Sequence, residues 1–153
     1  ICLIKGIKSN KANFSFICYD LSHLSEFTKN VNTSTYKLMR KSLPGPYTFI
    51  LNANNKVPKL FKNNKRTIGI RVPDNNIARE IVKQLGNPLL STSVHDSDAI
   101  LEYSTDPETI HQRYKAVVDI TIAGGIGSNK ASTVIDCTNS EPEIIREGKG
   151  DLV

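Results

Sequence analysis

In the stretch KRTIGIRVPDN, Lys65 to Asn75, strand alternation sends Ile68, Ile70 and Val72 to one face and Thr67, Gly69 and Arg71 to the other. The first set is a core face. The second offers a hydroxyl, a bare backbone position and a guanidinium, which suits holding an anion better than moving protons. A half-buried arginine needs a fixed negative partner, because an isolated charge in a low dielectric is costly. An Asp or Glu of the chain and the carboxylate or phosphate of a ligand both meet that need. Three other stretches have similar chemistry. LLSTSVHD puts Ser91 and Ser93 on one face at a strand's end, with Thr92 opposite; hydroxyls there can donate to a ligand of an open α/β sheet, or simply line a turn. KGIKSNKANF sets Lys5, Lys8 and Lys11 around a glycine, ammonium groups equally at home on phosphate or in water. GGIGSNKASTVID leads from a glycine-rich loop into Ser132 and Thr133, where backbone N–H groups could approach phosphate or form a plain turn. Together the four stretches describe one basic, hydroxyl-lined cleft.

Acid/base machinery is missing from the pattern. There is no GxSxG, HExxH or GxxxxGK[ST], and His23, His95 and His111 lack ligand spacing. His23 and His111 fall on helix surfaces and are expected to face solvent. Cys2, Cys18 and Cys137 are odd in number and far apart, which argues against a disulfide framework or zinc site and for a reducing, cytoplasmic setting.

The elements that must position these residues follow from periodicity and caps. NFSFICYD reads as a strand, then Asp20 or Ser22 caps a short helix carrying Leu24 and Phe27. NTSTYKLMRKSL is a helix stopped by Pro44, and PGPYTFILN is a turn feeding a strand from Tyr47 to Leu51. KVPKLFKN reads as a short helix. PDNNIAREIVKQLGNP is the clearest helix: Asp74 or Asn75 caps it, Ile77, Ala78, Ile81, Val82 and Leu85 form its apolar stripe, and Gly86 with Pro88 ends it. PLLSTSV is a strand, STDPETIHQRYK a helix with Asp106 at the N-cap and Pro107 at N1, and AVVDITIAGG a strand ending at Gly124 and Gly125. ASTVIDC and PEIIRE are the last strands, too close for a crossover helix and so antiparallel, and GKGDLV is a tail. Phe14, Phe16, Tyr47 and Phe49 fall on apolar strand faces and belong to the core. The expectation is a single α/β domain over residues 1–153, with a mixed sheet and helices packed on it.

The net charge of +5 conceals an asymmetry. Residues 1–71 hold 13 Lys/Arg against two acids, Asp20 and Glu26, giving +11, and residues 72–153 hold seven against 13, giving −6. A basic half points to nucleic acid or nucleotide phosphates as partner, with scattered lysines such as Lys56, Lys59 and Lys62 read as solvated surface. No apolar run reaches membrane-span length, and the opening ICLIKG lacks the pattern of a signal peptide.

The order IKG, LPGPYTFIL, TIGIRVPDN, PLLSTSV, ASTVID and IIREG resembles the YrdC-like family, which includes the threonylcarbamoyl-AMP synthases, over essentially the whole chain. That resemblance implies a twisted open α/β sheet with a large basic cavity. It also implies formation of threonylcarbamoyl-adenylate from L-threonine, bicarbonate and ATP, for threonylcarbamoyladenosine modification of tRNA. ATP is then a substrate accompanied by Mg2+, and no organic cofactor is needed. Since such a reaction chiefly requires anions held in line and water kept away, the missing acid/base pair is compatible with it. By resemblance, Lys5, Asn13, Thr67, Ser93 and Arg146 are nucleotide contacts, Arg71 clamps the threonine carboxylate, and Ser91 and Ser132 are threonine contacts. Gly69, between Thr67 and Arg71, is expected to leave a ligand room against the backbone.

Two motif positions depart from the family. Ile7 stands where its K-x-R motif has arginine, and His95 where its S-x-N motif has asparagine. Lys8 restores charge but not a bidentate guanidinium. These losses resemble the YciO-like branch. The family's P-T-D-[TS]-x-Y-G segment is absent, so the chain is expected to lack an N-terminal part. Two alternatives stand beside the synthase: a double-stranded RNA or tRNA-binding module, and a paralogue binding a nucleotide for another purpose.

Overall fold

The structure, a computed structural model, describes residues 1, 4, 14–58, 66–94 and 104–151. The chain divides into two compact units: Ile1–Thr92 with Ser132–Val153, and Ser93–Ala131.

The first unit is built on six strands: β1 (Ser15–Ile17), β2 (Tyr47–Asn52), β3 (Thr67–Arg71), β4 (Leu89–Ser91), β5 (Thr133–Asp136) and β6 (Glu143–Arg146). Their order across the sheet is β4-β1-β3-β2-β5-β6. β1 with β3 and β2 with β5 are parallel, and the other three pairs are antiparallel, including the expected β5–β6 pair. The result is the mixed open α/β sheet anticipated from the sequence.

Pleating decides what each face does, since neighbours in register share a face. One face carries Phe16, Tyr47, Phe49, Leu51, Ile68, Ile70 and Ile135, all buried in one apolar cluster. Phe16 meets Phe27 edge to face at 5.6 Å. Helix α1 (Thr33–Ser42) contributes Met39 to this cluster, fully buried, with Leu38 packed beside it. Asn32 caps α1 by accepting the Thr35 N–H at 2.7 Å. The turn after it is pinned on both sides, the Gly45 N–H donating to the Val72 carbonyl and the Thr133 N–H to that of Pro46.

Helix α2 (Asn76–Leu85) uses Asn75 as its cap, and Gly86 ends it at φ 69°, a left-handed conformation that glycine adopts without a Cβ penalty. Its stripe is only partly covered: Val82 is buried, whereas Ile77 and Leu85 are exposed. The short helix after β1 shrinks to a 3-10 turn, Leu24–Glu26, and Asp20 accepts from Ser22 ahead of it instead of capping it. The segment read as a tail is fastened down: Thr133 Oγ1 donates to the Gly150 carbonyl at 2.7 Å, and the Tyr47 hydroxyl to that of Asp151 at 2.9 Å.

In the second unit, helix α3 (Pro107–Tyr114) begins as expected, with Asp106 accepting the Glu108 and Thr109 N–H groups. The strand expected over AVVDITIAGG is absent. Val117 and Val118 turn back to bond the Tyr114 carbonyl, no described residue pairs with 118–124 as a strand, and Ile120 and Ile122 are 77% and 54% exposed. Alternation makes a strand only where an edge receives it. His111 also differs from its expected place in solvent, since Nδ1 contacts Thr121 Oγ1 at 3.1 Å, whereas His23 is exposed as expected and meets Glu26. Most of the helix read over KVPKLFKN lies outside the described residues; Val57 within it is buried.

Candidate anion-binding face

The side of the sheet away from the apolar cluster holds Thr67, Arg71, Ser91 and Arg146, and register places them in rows. In one row Ile17 stands beside Arg71, and Thr48 beside Val134, which pairs with Arg146. Continuing the β2–β3 register by one residue sets Thr48 opposite Arg71 and closes the row. In the next, Ser91 pairs with Ser15, Ser15 with Gly69, Gly69 with Ile50, Ile50 with Asp136, and Asp136 with Glu143. Thr67 pairs with Asn52 beyond them. A bulge in the β5–β6 pair lies immediately before Arg146 and aims its side chain back over β5.

Arg146 grips Ser132. Its Nε and Nη2 donate to the Ser132 carbonyl at 3.1 and 2.9 Å, and Nη2 also reaches the hydroxyl at 3.2 Å. The Ser132 hydroxyl lies 3.0 Å from Thr48 Oγ1. Arg71 is half-buried, and its buried Nε has no hydrogen-bond partner. Burial, and secondarily the charge of Arg146, pull its pKa below the usual guanidinium value. Ion pairs among the described residues join only His23 with Glu26 and Lys83 with Glu80. No described carboxylate therefore neutralises the two guanidiniums, and of the two partners left open for Arg71 the internal one is not found there.

Ser91 donates to the Ser15 carbonyl at 3.0 Å, so its hydroxyl hydrogen is committed to the sheet. Thr67 is buried on the same face. Gly69 departs from expectation: a Cβ there would lie 2.6 Å from Ser15 Oγ and 3.1 Å from the Thr48 methyl. The glycine makes room for these two side chains rather than for a ligand. Ser93 belongs to the unit 93–131, whereas Thr67, Arg71, Ser91, Ser132 and Arg146 belong to the sheet unit. Lys5, Asn13, Ile7, Lys8 and His95 lie outside the described residues. Thr48 and Ser15 escaped notice in the sequence; reading YTFIL with the same alternation as TIGIR would have placed Thr48 on this face.

Guanidiniums and hydroxyls suit an anion and not a metal ion. Among the described residues no group of three His, Cys, Asp or Glu is placed to hold one. None of their helices is long and apolar enough to cross a membrane.

Comparison with known proteins agrees with the fold. The "Uncharacterized protein YciO" of Escherichia coli is 41% identical over 153 residues, covering 99% of this chain and 73% of that protein. Its crystal structure superposes with a TM-score of 0.88 at 40% identity, covering 99% of this chain and 72% of that one. A Vibrio vulnificus protein named threonylcarbamoyl-AMP synthase is 25% identical over 137 residues, 86% of this chain and 70% of its own length. The P. abyssi Sua5 structure complexed with L-threonine shares the fold at a TM-score of 0.84 and 22% identity, covering 96% of this chain and 43% of that one. The Sua5_yciO_yrdC family model, described as "Telomere recombination", matches residues 1–148. With that match, and with YciO alike in sequence and backbone, the chain belongs to the Sua5/YciO/YrdC family.

Proposed function

We propose that this face binds L-threonine through its carboxylate and takes part in forming threonylcarbamoyl-adenylate from L-threonine, bicarbonate and ATP, the nucleotide accompanied by Mg2+. The observation that carries the reading is the half-buried guanidinium of Arg71, with an unpartnered Nε and no described carboxylate to neutralise it or Arg146. A carboxylate or phosphate arriving there supplies the missing charge and the missing acceptor together. Arg71 clamps the threonine carboxylate, with Ser132 and Ser91 beside it. Lys5, Asn13, Thr67, Ser93 and Arg146 serve the nucleotide. The relative named threonylcarbamoyl-AMP synthase and the L-threonine complex of Sua5 support this choice of ligand.

Pyrophosphate release is the direct test. The chain mixed with L-threonine, bicarbonate and ATP-Mg should release pyrophosphate only when all are present. Failure to release it, together with failure to bind ATP, sinks the synthase reading. Arg71→Ala should weaken L-threonine at least about tenfold more than ATP, as expected for loss of a charge-assisted pair; equal losses would show that Arg71 does not clamp threonine.

One observation favours a second reading, binding of double-stranded RNA or tRNA without the chemistry. The outer face of α1 exposes Tyr36, Lys37, Arg40 and Lys41, three cations beside an aromatic ring. RNA affinity that does not weaken as salt rises would exclude phosphate contacts as its basis.

A further inference from the structure

Thr48 lies on the anion face as the second residue of β2, and only 8% of it is exposed. The methyl reaches toward Gly69, 3.1 Å from where a Cβ would stand there, and the hydroxyl lies 3.0 Å from that of Ser132. A β-branched side chain has few χ1 rotamers to choose from, and the one present here turns the hydroxyl to Ser132.

We propose that Thr48 is a positioning residue that makes the Ser132 hydroxyl a fixed donor toward the carboxylate clamped by Arg71; this rests on the anion-site reading above. A serine hydroxyl has one hydrogen to give and room to accept two. Arg146 Nη2 already donates into Ser132 Oγ at 3.2 Å. When Thr48 donates into the second position, Ser132 has no acceptor capacity left, and its O–H is free to turn to the ligand. The opposite polarity, with Ser132 donating to Thr48, would present a lone pair to an incoming anion. An anion therefore selects the first arrangement, in which every group pointing at it is a donor. Thr48 touches no ligand in this scheme and acts through Ser132 alone.

Calorimetric titration with L-threonine tests this across wild type, Thr48→Val, Thr48→Ser, Ser132→Ala and the Thr48→Val/Ser132→Ala double variant, with thermal unfolding followed in parallel. Thr48→Val keeps the shape and loses the donor, so affinity should fall about five- to tenfold, the worth of one hydrogen bond. Thr48→Ser keeps the donor and should stay within about twofold of wild type. The double variant should bind no more weakly than Ser132→Ala, because the Thr48 effect passes through the missing hydroxyl. If Thr48→Val fails to fold, Thr48→Ala set against Thr48→Ser makes the same comparison. Wild-type affinity in Thr48→Val, an equal loss in Thr48→Ser, or independent losses in the double variant would each overturn the role of Thr48 while leaving the anion site intact. A wild-type chain that does not bind L-threonine would remove the site reading and this inference with it.

Discussion

Arg71 is the residue where stability and binding pull in opposite directions. Its guanidinium is partly stripped of water and faces Arg146, and both effects lower its pKa because both disfavour the charged form. An unpaired charge in that position costs stability, so Arg71→Met should raise the Tm of the ligand-free protein by roughly 2–4 °C, on the order of 1 kcal/mol. The same substitution should abolish the thermal shift produced by saturating L-threonine. A lower Tm without ligand would mean that the guanidinium has a partner holding it in place. The two described cysteines have the opposite chemistry. Burial, aided by Asp20 and Asp136, pushes the Cys18 and Cys137 thiols up to about 12 and about 11. At pH 8 that leaves on the order of one thiolate in a thousand or fewer. In a Cys2→Ser variant, a thiol reagent should therefore label the native protein slowly and the urea-unfolded protein at once; fast native labelling would refute the burial of both.

At the scale of elements, the sequence was most legible where local chemistry suffices. Asn75, Gly86, Asp106 and Pro107 bound their helices by capping alone, and TIGIR and YTFIL alternate because one sheet face is apolar. AVVDITIAGG alternates just as clearly and forms no strand among the described residues, because a strand also needs a neighbour that its own sequence cannot specify. The candidate site divides along the same line. Arg71 stands out as an arginine on the wrong face, whereas Thr48 and Ser15 acquire meaning only through the cross-strand register. Gly69→Ala tests that register: its new Cβ would crowd Ser15 and Thr48, costing about 1–3 kcal/mol and displacing Thr48 from Ser132. A variant as stable as wild type would show that the strands have slack to move. The capping carboxylates give a pH test. Hydrogen bonds from Thr109 and Glu108 hold Asp106 below its ordinary value of 3.8, and those from Ser22 do the same for Asp20. A depressed acid contributes its stabilisation fully above the unfolded value and loses it as pH falls through the folded one. Denaturant midpoints should therefore hold between pH 7 and 5 and drop below about pH 4, less steeply in Asp106→Asn.

For the molecule as a whole, the sheet rearranges the charge read along the chain. The basic first 71 residues supply β1, β3 and β2, and the acidic remainder supplies β4, β5 and β6. The order β4-β1-β3-β2-β5-β6 therefore puts strands of the acidic half at both edges and those of the basic half in the centre. Asp136 and Glu143 face each other near one edge, on the same side of the sheet as Arg71. Two guanidiniums, Arg71 and Arg146, with that pair of carboxylates on the same side suit a small anion better than a polyanion, which must lie across many positive groups at once. The two kinds of ligand then separate by salt. A nucleic acid held through six to ten phosphates loses roughly 10³- to 10⁵-fold in affinity between 50 and 200 mM salt. A single carboxylate on the partly buried Arg71 guanidinium is screened far less, so L-threonine should weaken by no more than about threefold over that range. Parallel titrations with L-threonine and a short RNA duplex should leave only the amino acid bound at 200 mM. If the duplex stays bound while L-threonine is lost, the exposed cations of α1, and not the centre of the sheet, hold the physiological partner.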